Sequence, residues 1–89
     1  MKLYDAISEM RRLSKEGTPF SFTYMSYNST KKTTDGVIHV QQARLMKRES
    51  EKYNRFAEDQ ERYYNLITME IRRFWHPLLM DFNGEKVEI

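Results

Sequence analysis

The sequence predicts an α+β fold: an N-terminal helix packed on a bent antiparallel sheet of about five strands, either open or curled towards a barrel. Three stretches carry that expectation. Leu3, Ala6, Ile7, Met10 and Leu13 fall on one stripe of a helix over 3–16. Residues 20–28 change to period two, with Phe20, Phe22 and Tyr24 on one side and Ser21, Thr23 and Met25 on the other. The third stretch, 78–89, turns on Asn83-Gly84, a pair suited to the two positive φ angles of a type I′ hairpin.

The helix has Asp5 near its positive end and Arg11, Arg12 and Lys15 near its negative end. Gly17 offers a left-handed cap, and Pro19 prevents continuation. After the aromatic strand comes a polar loop, Asn28 to Gly36, which closes on an Asp35-Gly36 turn signal. A second strand starts at Val37. Its apolar phase slips between Val40 and Ala43, which predicts a β-bulge near Gln41-Gln42. In the last hairpin, a turn at Asn83-Gly84 sets Phe82 against Glu85, Asp81 against Lys86 and Met80 against Val87. One face then carries Leu78, Met80, Phe82, Val87 and Ile89, and Leu79 and Trp75 lie opposite.

Two readings fit residues 49–73. Tyr53, Phe56, Gln60, Tyr64, Ile67, Ile71 and Phe74 recur at helical spacing with no Gly or Pro between them. The competing reading ends a turn or helix near Asp59, places a strand over 60–65 and reverses over Leu66–Glu70. A long strand then runs from Ile71, with Pro77 marking an edge or a bulge because it cannot donate to the ladder.

The segments Met-Lys-Leu-Tyr-Asp-Ala-Ile, Phe-Ser-Phe, Gly-Val-Ile-His-Val, Ala-Arg-Leu and the stretch from Arg72 to Gly84 occur in that order. In this they resemble a group of small uncharacterised proteins of gut bacteria, some of them in prophage-like or mobile gene clusters. The resemblance covers most of the chain, with Arg72–Gly84 as its most specific part. It implies a hairpin before the Arg-Phe element, with an acidic, Gly-containing turn; here Leu66–Glu70 lacks that Gly. It implies no catalytic or binding residues. On this ground we take strands, rather than helix, after residue 60.

Composition narrows the function classes. A chain of 89 residues makes one domain, 1–89, with room for one small core and no enclosed active-site cleft. With no cysteine there is neither a disulfide framework nor a thiolate metal site. No apolar run spans a bilayer and no leader is evident at Met1–Asp5, so a cytoplasmic protein without membrane contact is expected, and Asn28-Ser29-Thr30 reads as a polar loop. Net charge is +2, divided as nine Lys/Arg against four Asp/Glu over 1–48 and six against nine over 49–89.

No arrangement of catalytic type stands out. His39 and His76 fall within strands, where a histidine is most often a hydrogen-bonded structural residue; a pH-sensitive or metal-binding pair would need the two to meet. Glu58, Asp59 and Glu61 alternate with Arg55 and Arg62, which reads as a solvated, ion-paired face. No phosphate-cradling glycine loop and no metal-ligand spacing occurs, and no cofactor is expected.

The expected function is therefore a non-enzymatic accessory protein that acts by protein–protein contact or self-association. Trp75, Leu79 and Tyr27 are its interface candidates. The alternative is a sequence-tolerant nucleic-acid binder that uses Arg11, Arg12, Lys15, Lys31 and Lys32. The expected core is Leu3, Ile7, Met10, Leu13, Phe20, Phe22, Ile38, Val40, Leu45, Phe74, Leu78, Met80, Phe82 and Val87.

Overall fold

In a computed structural model, residues 1–28, 30–47 and 59–89 are described. Helix α1 spans Leu3–Glu16 and buries Leu3, Ala6, Ile7 and Met10, with Leu13 half-buried at the end of the stripe. Gly17 closes it at φ 76°: the Gly17 and Thr18 amides donate to the Ser14 and Leu13 carbonyls. That pair of bonds is a Schellman cap, which only a residue at ease with positive φ accommodates.

Six strands follow: β1 (Phe20–Asn28), β2 (Thr33–Leu45), β3 (Gln60–Asn65), β4 (Ile71–Trp75), β5 (Leu79–Phe82) and β6 (Glu85–Lys86). They form one antiparallel sheet in the order β4-β3-β2-β1-β5-β6. The predicted bulge is present. Phe20 pairs with Ala43 and Phe22 with Val40, so two residues of β2, Gln41 and Gln42, oppose one of β1, Ser21. This extra residue returns Ala43 and Leu45 to the buried side.

A second bulge corrects the expected Asp35-Gly36 turn. Ser26 pairs with Gly36 and Asn28 with Thr33, so both Asp35 and Gly36 lie inside β2, with Gly36 at φ 84°. The reversal comes earlier: the Asn28 side chain accepts the Thr30 and Lys31 amides, and Lys32 takes φ 54°.

Beyond residue 60 the strand reading holds. Strands β3 and β4 pair from Gln60↔Trp75 to Tyr64↔Ile71. The reversal between them works without the missing glycine. Asn65 accepts the Ile67 and Thr68 amides on its side chain and the Met69 amide on its carbonyl, and Met69 takes the left-handed backbone at φ 63°. The rest of the ambiguous segment, 49–58, lies outside the described residues.

The long strand expected from Ile71 is broken. Residues His76–Leu78 form a 3-10 turn with Pro77 in its first positions, which separates β4 from β5. In a flat sheet, the four strand spacings between β4 and β5 would span about 19 Å. Four Cα–Cα steps from Trp75 to Leu79 reach at most about 14 Å. The sheet therefore curls over its own inner face. This brings the Phe74 ring of β4 to 5.0 Å from Phe22 of β1, although β3 and β2 lie between them in the order. It curls without closing into a barrel.

Inside the curl sits an aromatic core: Phe22 packs on Tyr24, Tyr63 and Phe74, with Phe20 and Phe82 beside it. Ala6, Tyr24, Ala43, Tyr63 and Leu79 join the expected core, while Leu13, Ile38 and Leu78 are only half-buried. The C-terminal hairpin has its expected register, Asp81↔Lys86 and Phe82↔Glu85, with Asn83 at φ 50° and Gly84 at φ 81°. Its expected inner face is corrected. Tyr24 pairs with Leu79 and Thr23 with Asp81, so Met80 is a bulged residue. Leu79 swings into the core at 5% exposure and Met80 out to 41%.

Candidate binding groove

Strands β4 and β5 both run antiparallel to β1, end to end across the 3-10 turn. Strand β5 pairs with Phe22–Tyr24 of β1, whereas β4 has stepped away to pair with β3. The upper half of β1, Met25–Asn28, thus has no strand on that side among the described residues. Between it and β4 opens a wedge-shaped groove of about 620 Å³.

Its described lining comes from four strands: Tyr27 of β1, Asp35 of β2, Arg62 of β3 and Arg72, Arg73 and Trp75 of β4. Tyr27 is 44% exposed and Trp75 half-buried. Arg62 and Arg73 stand directly opposite each other in the β3–β4 ladder. An NH2 of Arg62 donates to the Lys47 carbonyl at 3.1 Å, and its Nε is buried with no hydrogen-bond partner among the described residues. Arg72 meets Asp35 at 3.9 Å with both groups well exposed, a pairing worth little in water. Lys31 and Lys32 follow Thr30, another lining residue, at the hairpin tip.

Two of the three interface candidates, Tyr27 and Trp75, therefore meet in one groove. The third, Leu79, is buried by the Met80 bulge and offers no surface. The five cations expected to bind nucleic acid do not form one patch. Arg11 is engaged by Glu61, and Arg12 by both Glu9 and Glu16. These lie with Lys15 on α1, tied to the far end of β2 by the Leu45 amide, which donates to the Ser14 hydroxyl. Lys31 and Lys32 precede the opposite end of β2.

Glu61 departs most from its expected place. Sharing a strand face with Tyr63, it lies 1% exposed rather than on a solvated surface. The Arg11 guanidinium donates to its Oε1, and His76 Nε2 lies 3.2 Å from the same oxygen. Burial pushes the Glu61 carboxyl up; hydrogen bonds from His76 and Arg11, with the Arg11 charge, more than offset that and hold it below its ordinary 4.5. Glu58 and Arg55 lie outside the described residues, and Asp59 is exposed.

The two histidines do not meet, since His39 pairs with the Thr23 hydroxyl at 2.8 Å. Among the described residues that hydroxyl–imidazole pair has no orienting acid of the kind a nucleophile triad needs. The carboxylate in register, Asp81, faces Thr23 rather than His39. Among the described residues no group of three or more His, Asp or Glu could hold a metal ion. No helix among them is long and apolar enough to cross a membrane.

Sequence reasoning passed over Arg62, Arg72 and Arg73. The signal was available: a strand over 60–65, a reversal over 66–70 and a strand from 71 set Arg62 opposite Arg73. Comparison with known proteins adds no relative: no family model, no curated protein and no solved structure matches the chain.

Proposed function

We propose that the chain is a non-enzymatic binding module that acts by macromolecular contact, with the groove between β1 and β4 as its working surface. What supports this is the meeting of the two aromatics the core does not absorb, Tyr27 and Trp75, with three arginines around one opening. Large aromatics and arginine are the side chains that carry most binding energy at interfaces. The resemblance noted above suggests a setting for such a module, as a cytoplasmic accessory of a mobile element.

Trp75 is the single tryptophan, so tryptophan emission reports on this groove. Titration with a polyanion, either oligonucleotide or polyglutamate, is expected to change Trp75 emission saturably. Replacing both Arg72 and Arg73 by Glu should abolish the change. Emission that neither probe alters would count against an anion-binding groove.

A second reading, self-association, rests on a different observation. Met80 and Ile89 are exposed along an apolar depression beside β5 and β6 that Pro77 also lines. Sedimentation velocity decides it: a dimer that Met80→Lys dissociates would favour it, and a monomer at all concentrations would exclude it.

A further inference from the structure

We infer that the apolar reversal between β3 and β4 is a protrusion that seats in the hollow beside β5 and β6 of a second copy, joining copies head to tail. The inference rests on the self-association reading and names what fills the hollow; the β1–β4 groove takes no part.

The protrusion comes first. A reversal over 66–70 needs hydrogen bonds, which Asn65 supplies, and polar residues would suit it in water. This one carries Ile67 and Met69 instead, with Ile71 just beyond. Ile67 and Ile71 are more than half exposed, and Met69 is 74% exposed. Met69 also holds φ 63°, where Gly or Asn sits at ease and a longer side chain is strained. Fold stability gains from neither feature. Strain and apolar exposure kept together at one position mark a contact site. The tip is also pre-shaped, because the Leu66 amide donates to the Gln42 carbonyl and the Met69 amide to the Asn65 carbonyl. Little ordering remains to be lost on binding.

The hollow lies beyond the far end of β4. Pro77, Leu79, Met80, Val87 and Ile89 surround about 540 Å³, several times the roughly 150 Å³ that admits a benzene ring. Leu79 and Val87 are buried and give it a fixed apolar floor, with the exposed Met80 at its rim. Asp81 and Lys86 line it too, and the reversal carries Glu70 with Arg72 beside it, both exposed. Setting Glu70 towards Lys86 and Arg72 towards Asp81 matches each charge, so the contact buries no net charge.

Geometry selects a second copy. Ile71 opens β4 and Leu79 opens β5, with all of β4 and the 3-10 turn between, so a chain cannot fill its own hollow. Two hollows facing across a twofold axis would enclose unfilled space, against the close packing of protein contacts. A protrusion of one copy in the hollow of the next leaves no such void. Contacts between two different patches add copies in series until a ring closes.

The test is sedimentation velocity of the whole chain from about 1 μM to 1 mM. Mean mass should rise with concentration. Met69→Gly suits the positive φ and keeps the turn, so it removes the side chain without disturbing the fold. It should raise the dissociation constant at least about tenfold, and so should Met80→Lys at the hollow. Mixing the two variants is the decisive step. One retains an intact hollow and the other an intact tip, so the mixture should regain a one-to-one complex that neither variant forms with itself. Arg12→Gln on α1 serves as the control and leaves association unchanged, and far-UV circular dichroism verifies that each variant is folded.

Association that Met80→Lys abolishes and Met69→Gly leaves intact would overturn the tip-in-hollow contact while self-association stands. Two variants that stay apart when mixed would do the same. A wild-type monomer at every concentration would overturn both. Phosphatidylcholine–phosphatidylglycerol vesicles that sediment a monomeric wild type, but not Met69→Gly, would assign the tip to a bilayer and overturn the inference as well.

Discussion

The hydroxyls of Tyr24 and Tyr63 lie 2.7 Å apart at the centre of the core, each the other's partner. Tyr24 comes from β1 and Tyr63 from β3, with β2 between them, so the bond spans the inside of the curl. Burial and the Tyr24 hydroxyl push the Tyr63 ionisation well above the ordinary tyrosine value.

That pairing predicts a non-additive mutant cycle. Tyr24→Phe or Tyr63→Phe alone strands one buried hydroxyl and should cost about 1–3 kcal/mol in urea unfolding. The double Phe variant strands neither and should cost less than the sum of the two. Additive losses would mean that the hydroxyls do not act as a pair.

Glu61 gives the acid limb of stability. Its folded-state pKa lies below the ordinary 4.5, so the carboxylate contributes stability that is fully present above pH 4.5 and is lost as pH falls through the lower folded value. Glu61→Gln should cost about 1–3 kcal/mol at pH 7. The difference in urea midpoint between the two proteins should then narrow as pH drops below 4.5. Exposed carboxylates such as Glu9 titrate nearby but are common to both proteins, so they cancel in the comparison. A gap of constant width would refute the assignment.

The Met80 bulge reverses the ordering that strict alternation gives. Leu79→Ala should cost about 2–5 kcal/mol as a core truncation. Met80→Ser should stay within about 0.5 kcal/mol, as for a surface site. Thermal unfolding of the two variants distinguishes the bulged register from the alternating one.

Ser14 fastens α1 to the sheet. Its hydroxyl donates to the Met10 carbonyl at 2.7 Å and accepts the Leu45 amide at 2.8 Å. Ser14→Ala removes the acceptor for that strand-end amide and should cost about 1–2 kcal/mol. Hydrogen exchange at the Leu45 amide should rise in the same variant. Unchanged protection there would show that the tie does not hold the strand end.

Local signals in the sequence carried the local structure. The stripe from Leu3 to Leu13, the Gly17 cap, the phase slip at Gln41-Gln42 and the Asn83-Gly84 turn each depend on a few neighbouring residues, and each is found where it was read. The differences lie where a distant strand sets the outcome. Met80 bulges because β5 must follow β1 below the 3-10 turn while β4 follows β3 above it, and alternation within β5 cannot report that. Asp35-Gly36 has the composition of a turn, yet Asn28 reverses the chain first and leaves the glycine to form a bulge. Glu61 was read by its charged neighbours, although its parity with Tyr63 already placed it on the inner face. Of the groove, the aromatics were legible as residues the core did not require. The arginines beside them become neighbours of Tyr27 only when the sheet curls.

The split strand also shapes how this chain folds. Phe22 and Phe82 face each other in register although sixty residues separate them in sequence. The entropy of closing so long a loop is spent before the contact returns anything, so this pairing is intrinsically slower to form than the local β1–β2 hairpin. During synthesis the aromatic run Phe20-Ser21-Phe22-Thr23-Tyr24 waits without its covering strand until Phe82 has left the ribosome. Until β5 docks, β1 presents an unpaired apolar edge, the kind of surface on which chains associate wrongly.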